Sequence, residues 1–199
     1  MKKIIIIGAG AMGSAFAVPC LENKNEVTLV GTHLEDELIN NIQLNNNFHP
    51  ALNIKLPSNL KVEKYDKLKS ILEGGIDIIV AGVSSVGIEW FVKQITKSYK
   101  KNTPIILLTK GLAIEDNELI TLSDKIKKLL KDQGHTDVNI SAIKGPCLAA
   151  GLAYKMRTGT VIANPDIKET EKLKRIISTD YYSTEVSDDL TGIELSGAI

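Results

Sequence analysis

A glycine-rich turn close to the start of the chain limits the possible folds more than any other pattern in the sequence. Gly8, Gly10 and Gly13 form a G-x-G-x-x-G pattern directly after an apolar, strand-like run and directly before a helix-compatible one. In that context Gly8 permits a tight turn, Gly10 lets a diphosphate approach the backbone, and Gly13 lets the helix pack closely on the strand. The amino terminus of the helix then faces the phosphates. The pattern predicts a dinucleotide site, with NAD or NADP as the cofactor.

Short runs of β-branched residues recur along the chain between helix-like segments. Because these runs are continuous rather than alternating, they predict strands that are covered on both faces. The alternation of strand and helix predicts a parallel sheet. The expected fold class is therefore α/β, a Rossmann-type doubly wound, mostly parallel sheet. The predicted strands are 4–7, 27–30, 76–83, 105–109, 138–143 and 181–186.

Helical spacing marks two of the segments between these strands, and a polar helix is expected over 167–178. Ser84 and Ser85 are candidate N-caps for the first of the two. The apolar positions are Ile88, Phe91, Val92 and Ile95 in the first helix, and Leu119, Leu122, Ile126, Leu129 and Leu130 in the second.

Two segments depart from this simple alternation. Pro19 falls inside the helix after the glycine turn, where it removes a backbone donor at a cost of ~3 kcal/mol in a regular helix. A kink or an early end is therefore expected near 15–18. The segment 45–58 is rich in turn formers and lacks periodicity, so it is expected to be a surface loop beside the cofactor.

A last helix is expected to begin at Asp188, with Leu190, Ile193 and Ile199 on its apolar side. Because the sequence stops in mid-helix, we expect a truncated chain. The predicted organisation is an NAD(P)-binding Rossmann domain over 1–187 and, over 188–199, the first helix of a truncated helical substrate domain.

Composition excludes several classes of function. Lysine and arginine total 24, as do aspartate and glutamate, so no net charge favours nucleic acid or an anionic membrane. The apolar run after Met1 is too short for a signal peptide, so a cytoplasmic protein is expected. Cys20 and Cys147 are expected to be reduced thiols. The three histidines lack the spacing of metal ligands, so no metal site is predicted.

The end of the second strand bears on cofactor preference. NAD-selective folds place an acid there to hold the adenine ribose, but no acid appears before Glu35. Thr32 or His33 could donate to a 2′-phosphate, which gives dual cofactor use with some preference for NADP. The alternative for His33 is a solvated loop residue.

Several further segments, in order and at compatible spacing, resemble NAD(P)-dependent glycerol-3-phosphate dehydrogenases. They are 53–60, 81–85, 109–112, 144–146 and 190–199. The resemblance implies reversible hydride transfer between sn-glycerol 3-phosphate and dihydroxyacetone phosphate, supplying glycerol 3-phosphate for phospholipid synthesis. It also implies a small phosphorylated substrate and a homodimer in the full-length enzyme.

Lys110 is the main catalytic candidate, because a lysine at the carboxyl end of a parallel strand lies in the crevice where such sheets bind ligands. The alternative is an ordinary surface lysine. The resemblance implies that Lys110 contacts both substrate and cofactor, that Gly145 and Cys147 bind substrate, and that Ala149 lies beside the nicotinamide. The predicted cofactor-binding residues are Gly8, Gly10, Ala11, Met12, Gly13, Thr32, His33, Val83, Ser84, Lys110 and Ala149.

The chain also departs from the family pattern. Cys147 replaces a hydroxyl residue, Gly151 stands where a glutamate is common, and Ala11 and Met12 replace a polar and aromatic pair. These departures leave open a ketopantoate or opine type of dehydrogenase. The sequence ends one residue before the expected proton-acceptor lysine, so the chain alone is expected to bind dinucleotide with little turnover. A non-catalytic dinucleotide-binding module is the remaining alternative.

Overall fold

The computed structural model describes residues 1–198, and Ile199 lies outside the described residues. The strands are β1 (Lys3–Ile7), β2 (Glu26–Val30), β3 (Phe48–His49), β4 (Ile54–Lys55), β5 (Lys61–Glu63), β6 (Ile78–Ala81), β7 (Ile105–Leu107), β8 (Leu112–Glu115), β9 (Glu118–Thr121), β10 (Ile140–Lys144), β11 (Thr158–Ala163) and β12 (Tyr182–Ser187). The helices are α1 (Ala11–Glu22), α2 (Asp36–Leu44), α3 (Leu68–Glu73), α4 (Ile88–Ile95), α5 (Leu122–Lys131), α6 (Ala149–Ala153), α7 (Ile167–Ile177) and α8 (Leu190–Ala198).

One eight-stranded sheet organises the fold, in the order β12-β11-β10-β7-β6-β1-β2-β5. Its neighbouring strands run parallel, apart from the antiparallel pair β10 and β11. The strand order reverses between β1 and β6, which creates the crevice where doubly wound sheets bind ligands. The predicted fold class is confirmed. Strand β11, which causes the antiparallel pairing, was not predicted.

The core lies on both faces of the sheet, as the continuous apolar runs predicted. Successive side chains of β1 point to opposite faces, so Ile4 and Ile6 pack with α1 and its Phe16. Ile5 and Ile7 pack on the other face with Phe91 of α4. All four isoleucines are at most 1% exposed. The first strand is thereby fixed at the centre of the molecule, and the glycine turn that follows it is fixed with it.

Helix α1 continues through Pro19, so the predicted early end near 15–18 is wrong. The helix runs to Glu22, and its segment 13–21 is buried. Its final carbonyls have other donors: Asn23 Nδ2 donates to Pro19 O over 3.0 Å, and Asn25 Nδ2 donates to Cys20 O over 2.9 Å. Burial of this segment in the core outweighs the hydrogen bond that the proline removes.

The segment 45–58, predicted as a surface loop, is partly exposed but contains a short hairpin with buried side chains. Strands β3 and β4 pair antiparallel within it. His49 is fully buried, and Leu52 and Leu56 are 3% and 1% exposed. Asn53 adopts a left-handed φ of 53° in the connecting turn. The turn formers therefore shape a hairpin whose few apolar side chains join the core.

Two predictions around α4 and α5 are also wrong. Ser84 and Ser85 do not cap α4, because a short 3-10 turn over Ser85–Gly87 precedes it and Gly87 occupies the N-cap position. Leu119 is not part of α5 but lies in β9, paired with Ile114 of β8, and is 70% exposed. The left-handed residues 116 and 117 form the tight turn of this second hairpin.

The carboxyl-terminal part follows the predicted order of helix α7, strand β12 and helix α8. In α8, Leu190 is 4% exposed and packs on Ala142 and Ala163 of the sheet. Ile193 is half-buried, whereas Glu194 is fully buried. The predicted apolar position of Ile199 lies outside the described residues. Within residues 1–198, no helix combines the length and apolar character needed to cross a membrane.

Candidate functional site

The glycine turn shows which of its glycines the fold itself needs. Gly8 has a φ of +110°, and a Cβ there would lie 2.6 Å from Gly82 O. A Cβ on Gly13 would lie 2.1 Å from Gly8 O. At Gly10, in contrast, the nearest atom to an added Cβ is Glu35 Oε1 at 3.9 Å. Gly8 and Gly13 therefore serve packing, whereas Gly10 leaves open the space that a diphosphate requires.

Helix α1 begins at Ala11, immediately beyond this opening. The first N–H groups of a helix have no partner within it and carry partial positive charge, so they attract anions. Ala11 and Met12 are half-buried beside the turn. The predicted residues of the glycine turn thus form one cradle whose chemistry suits a diphosphate.

His49 supports the turn from the side of the hairpin. Its Nδ1 accepts from Leu52 N over 3.2 Å, so Nε2 carries the proton and donates to Ala9 O over 3.0 Å. Ser14 Oγ donates to the same carbonyl over 2.9 Å. No sequence pattern indicates this role, because a residue 40 positions away in the chain reaches the turn only through the tertiary fold.

An acid does lie at the end of β2, although the sequence spacing predicted none within reach. Glu35 folds back from the start of α2, and its Oε2 accepts from Ala9 N over 3.0 Å and from Thr32 N over 2.7 Å. Its carboxylate therefore lies between the glycine turn and β2, where an acid can accept from ribose hydroxyls. The available signal was an acid placed directly before the helix start at Asp36.

His33 is exposed and lies in an aromatic cluster with Tyr65 and Trp90. Its ring centroid is 5.0 Å from that of Trp90 and 6.2 Å from that of Tyr65. The same residues line a cleft of about 580 Å³ together with Lys69, Lys93, Gln94, Lys97 and Ser98. The structure thus places lysines beside His33, which the sequence analysis did not anticipate.

The segments that follow the neighbouring strands β6 and β7 are joined to each other on one side of the crevice. Thr109 Oγ1 donates to Val83 O over 2.7 Å. Val83 is 8% exposed, whereas Ser84 is exposed. Neighbouring strands lie about 4.8 Å apart, so the end of β7 is roughly 14 Å from the end of β2. Thr32 and His33 therefore lie at one end of an elongated crevice and Lys110 at the other.

Lys110, Gly145 and Cys147 come together at the second end of this crevice. The exposed Lys110 Nζ donates to Gly145 O over 3.3 Å. All three residues, with Met12 from the glycine turn, line a cavity of about 20 Å³, which is water-sized. Burial raises the pKa of the Cys147 thiol, so the thiol stays protonated. Ala149 begins α6 and is half-buried.

Lys144, at the end of β10, is a site residue that the sequence analysis did not assign. It is 3% exposed and lines the same cavity as Lys110. Its Nζ donates to Thr109 O over 2.5 Å and to Leu107 O over 3.4 Å. Burial lowers its pKa to about 8, with Glu194 opposing the shift and Lys110 adding to it. The available signal was a lysine that directly follows the apolar run 140–143.

Comparison with known proteins gives matches over nearly the whole chain. A family profile described as the NAD-dependent glycerol-3-phosphate dehydrogenase N-terminus matches residues 3–170. The chain is 34% identical to the NADP(+)-dependent glycerol-3-phosphate dehydrogenase of Archaeoglobus fulgidus, over 98% of the chain and 56% of that protein. It is 30% identical to a glycerol-3-phosphate dehydrogenase [NAD(P)+] of Mesoplasma florum, over 100% of the chain and 57% of that protein.

Solved structures show the same fold. Glycerol-3-phosphate dehydrogenase from Coxiella burnetii superimposes with a TM-score of 0.84 at 23% identity, covering 98% of this chain and 57% of that one. The chain thus spans a little over half the length of the curated relatives it matches.

Proposed function

The chain belongs to the NAD-dependent glycerol-3-phosphate dehydrogenase family, as its own motifs indicated, and we propose that it is the cofactor-binding part of such an enzyme. The reaction we assign to the whole protein is hydride transfer between C2 of sn-glycerol 3-phosphate and a nicotinamide. One observation carries the proposal. At the crevice between β1 and β6, where the strand order reverses, the Gly10 opening lies on the β1 side and Lys110 lies on the β7 side. The domain we propose spans 1–187, with 188–199 beginning a helical substrate domain.

The cofactor would extend along the crevice from β2 to β7. We propose that the glycine turn binds the diphosphate through backbone N–H groups and that Glu35 accepts from the adenine ribose. Residues from the sequence analysis complete this set: Gly8, Gly10, Ala11, Met12, Gly13, Thr32, His33, Val83, Ser84, Lys110 and Ala149. Glu35 is the addition that the structure suggests.

Lys110 would supply the positive charge that the reaction needs. The bound nicotinamide supplies the hydride acceptor or donor. As hydride leaves or reaches C2, the substrate oxygen changes between alkoxide-like and carbonyl character, and an ammonium beside that oxygen stabilises the charged form. The bond from Lys110 Nζ to Gly145 O holds the ammonium over the 145–147 turn, where substrate would bind.

Two measurements test this function. Titration of the chain with NADH and NADPH should show saturable binding. In the natural full-length protein, Lys110→Ala should lower kcat/KM for dihydroxyacetone phosphate by ~100-fold or more, because a preorganised charge at the reacting oxygen is lost. Lys168→Ala, at an exposed lysine on α7, is the matched control. Unchanged kcat/KM in Lys110→Ala would refute the role of Lys110.

Cys147 keeps a second substrate class open. A protonated, 5% exposed thiol is a weaker hydrogen-bond donor than the hydroxyl common at this position in the family. A panel containing dihydroxyacetone phosphate, ketopantoate and other small keto acids would separate the alternatives by kcat/KM. The supply of glycerol 3-phosphate to phospholipid synthesis, the homodimer and the cytoplasmic location stay predictions.

A further inference from the structure

The side chain of Lys144 is buried directly beneath the segment that carries Lys110. Its ammonium contacts two carbonyl oxygens of that segment, Thr109 O at 2.5 Å and Leu107 O at 3.4 Å. An ammonium has three N–H donors and no acceptor, so it suits the carbonyl-rich end of a strand. A buried charge is costly unless hydrogen-bonded and paired. A lysine that is 3% exposed therefore needs an explanation beyond packing.

Helix α8 supplies the opposite charge. Glu194 is fully buried, and its Oε1 accepts from Ser123 N over 3.1 Å. Its Oε2 is buried with no hydrogen-bond partner among the described residues. One turn later, a Cβ on Gly197 would lie 2.8 Å from Lys144 Cγ and Cδ, so α8 packs closely on the lysine stem. The lysine is thus enclosed by β7, β10 and α8.

We propose that Lys144 is a positioning residue for Lys110. Its ammonium holds the carbonyls of Leu107 and Thr109, which fixes the course of the chain into Lys110 and keeps the Lys110 ammonium over the 145–147 turn. Glu194 provides the counter-charge and links this arrangement to α8. The role of Lys144 in turnover rests on the proposed function, whereas its hold on the Thr109–Lys110 segment is a property of the chain itself.

Loss of the Lys144 ammonium should affect turnover more than cofactor binding. Without the ammonium, the Thr109 carbonyl loses its charged donor and the Lys110 segment can relax by part of an ångström. Misplacement of a catalytic group by ~1 Å can cost ~100-fold in rate. Met12 of the glycine turn lines the same cavity as Lys144, but the turn itself follows β1, which is separated from β10 by β7 and β6. The turn shares no hydrogen bond with Lys144 among the described residues. Because most of the proposed cofactor contacts lie at that turn and at the end of β2, cofactor affinity should change little while turnover falls.

The test compares Lys144→Met with Lys168→Met, the same change at an exposed lysine. In the natural full-length protein, Lys144→Met should lower kcat with dihydroxyacetone phosphate by ~10- to 100-fold. The NADH dissociation constant should stay within about twofold of that of the unmodified protein, and Lys168→Met should change neither quantity. Normal turnover in Lys144→Met would overturn the proposal, as would an equal loss of NADH affinity, which would indicate a general packing defect.

Hydrogen exchange on the chain itself separates this proposal from the assigned reaction. The Leu108 amide, between the two carbonyls that Lys144 holds, donates to Ala81 O over 3.1 Å and is therefore protected. Lys144→Met should accelerate exchange of this amide by ~tenfold or more while leaving β1 unchanged. Unchanged exchange at Leu108 would overturn the positioning role. In a further outcome, the exchange result is as expected but the unmodified full-length protein reduces no dihydroxyacetone phosphate. That outcome would refute the assigned reaction and leave the structural role of Lys144 intact.

Glu194→Gln is a second variant of nearly identical shape. The charged groups that act on Lys144 are Glu194, which raises its pKa, and Lys110, which lowers it. Loss of the glutamate charge should lower that pKa further, so kcat should begin to decline at a lower pH than in the unmodified protein. A pH profile identical in the two proteins would contradict the link between Lys144 and α8.

Discussion

Gly10→Ala should weaken cofactor binding while leaving the stability of the fold nearly unchanged. The nearest atom to an added Cβ is Glu35 Oε1 at 3.9 Å, an ordinary contact, and the backbone angles of Gly10, φ −61° and ψ 174°, suit alanine. Gly10 is the N-cap of α1, so the change should cost only ~1 kcal/mol or less of unfolding free energy. The methyl group would, however, enter the space assigned to the diphosphate. We expect NADH affinity to fall ~10- to 100-fold, or about 1.4 to 2.8 kcal/mol.

The assay is calorimetric or fluorescence titration with NADH, beside urea unfolding of the same variant. Gly13→Ala provides the contrast, because its Cβ would lie 2.1 Å from Gly8 O and should destabilise the fold by ~3 kcal/mol or more. Undiminished NADH affinity in Gly10→Ala would show that the diphosphate does not approach this turn. The cofactor site would then have to be sought elsewhere.

Three further changes test other parts of the site. Glu35→Gln removes the carboxylate that is proposed to accept from the adenine ribose. The affinity for NADPH relative to that for NADH should therefore rise ~fivefold in paired titrations, or about 1 kcal/mol. An unchanged ratio of the two affinities would contradict the position assigned to Glu35. His49→Leu removes a donor to Ala9 O and leaves Leu52 N unpaired. The free energy of unfolding in urea should therefore fall by ~1 to 3 kcal/mol. Equal stability of the two proteins would show that His49 does not support the glycine turn. Because burial lowers the pKa of Lys144 to about 8, the folded chain releases this proton before the unfolded chain does. The free energy of unfolding of the chain should therefore increase as the pH rises from about 8 to about 10.5, and Lys144→Met should lack this increase.

The part of the fold that depends on local pattern could be predicted from the amino-acid sequence. Four isoleucines followed by a G-x-G-x-x-G turn fix a buried strand, a tight turn and a helix start, because each property is encoded within a few residues. Lys110 could be assigned for the same reason, since it closely follows an apolar run that predicts a strand end. The helices α4 and α7 were predicted from apolar spacing and polarity in the same way.

The distant residues that complete the crevice could not be predicted in this way, because they come together only in the folded chain. Glu35 reaches Ala9 by folding back from α2, His49 reaches the same residue from a hairpin, and Lys144 is enclosed by a helix that begins 46 positions later. Whether α1 could pass through Pro19 was settled by packing on both sides of that helix. Local patterns could mark Glu35 and Lys144 as candidates, but they could not identify the partners of these residues, because those partners are far away in the chain and are brought close only by burial.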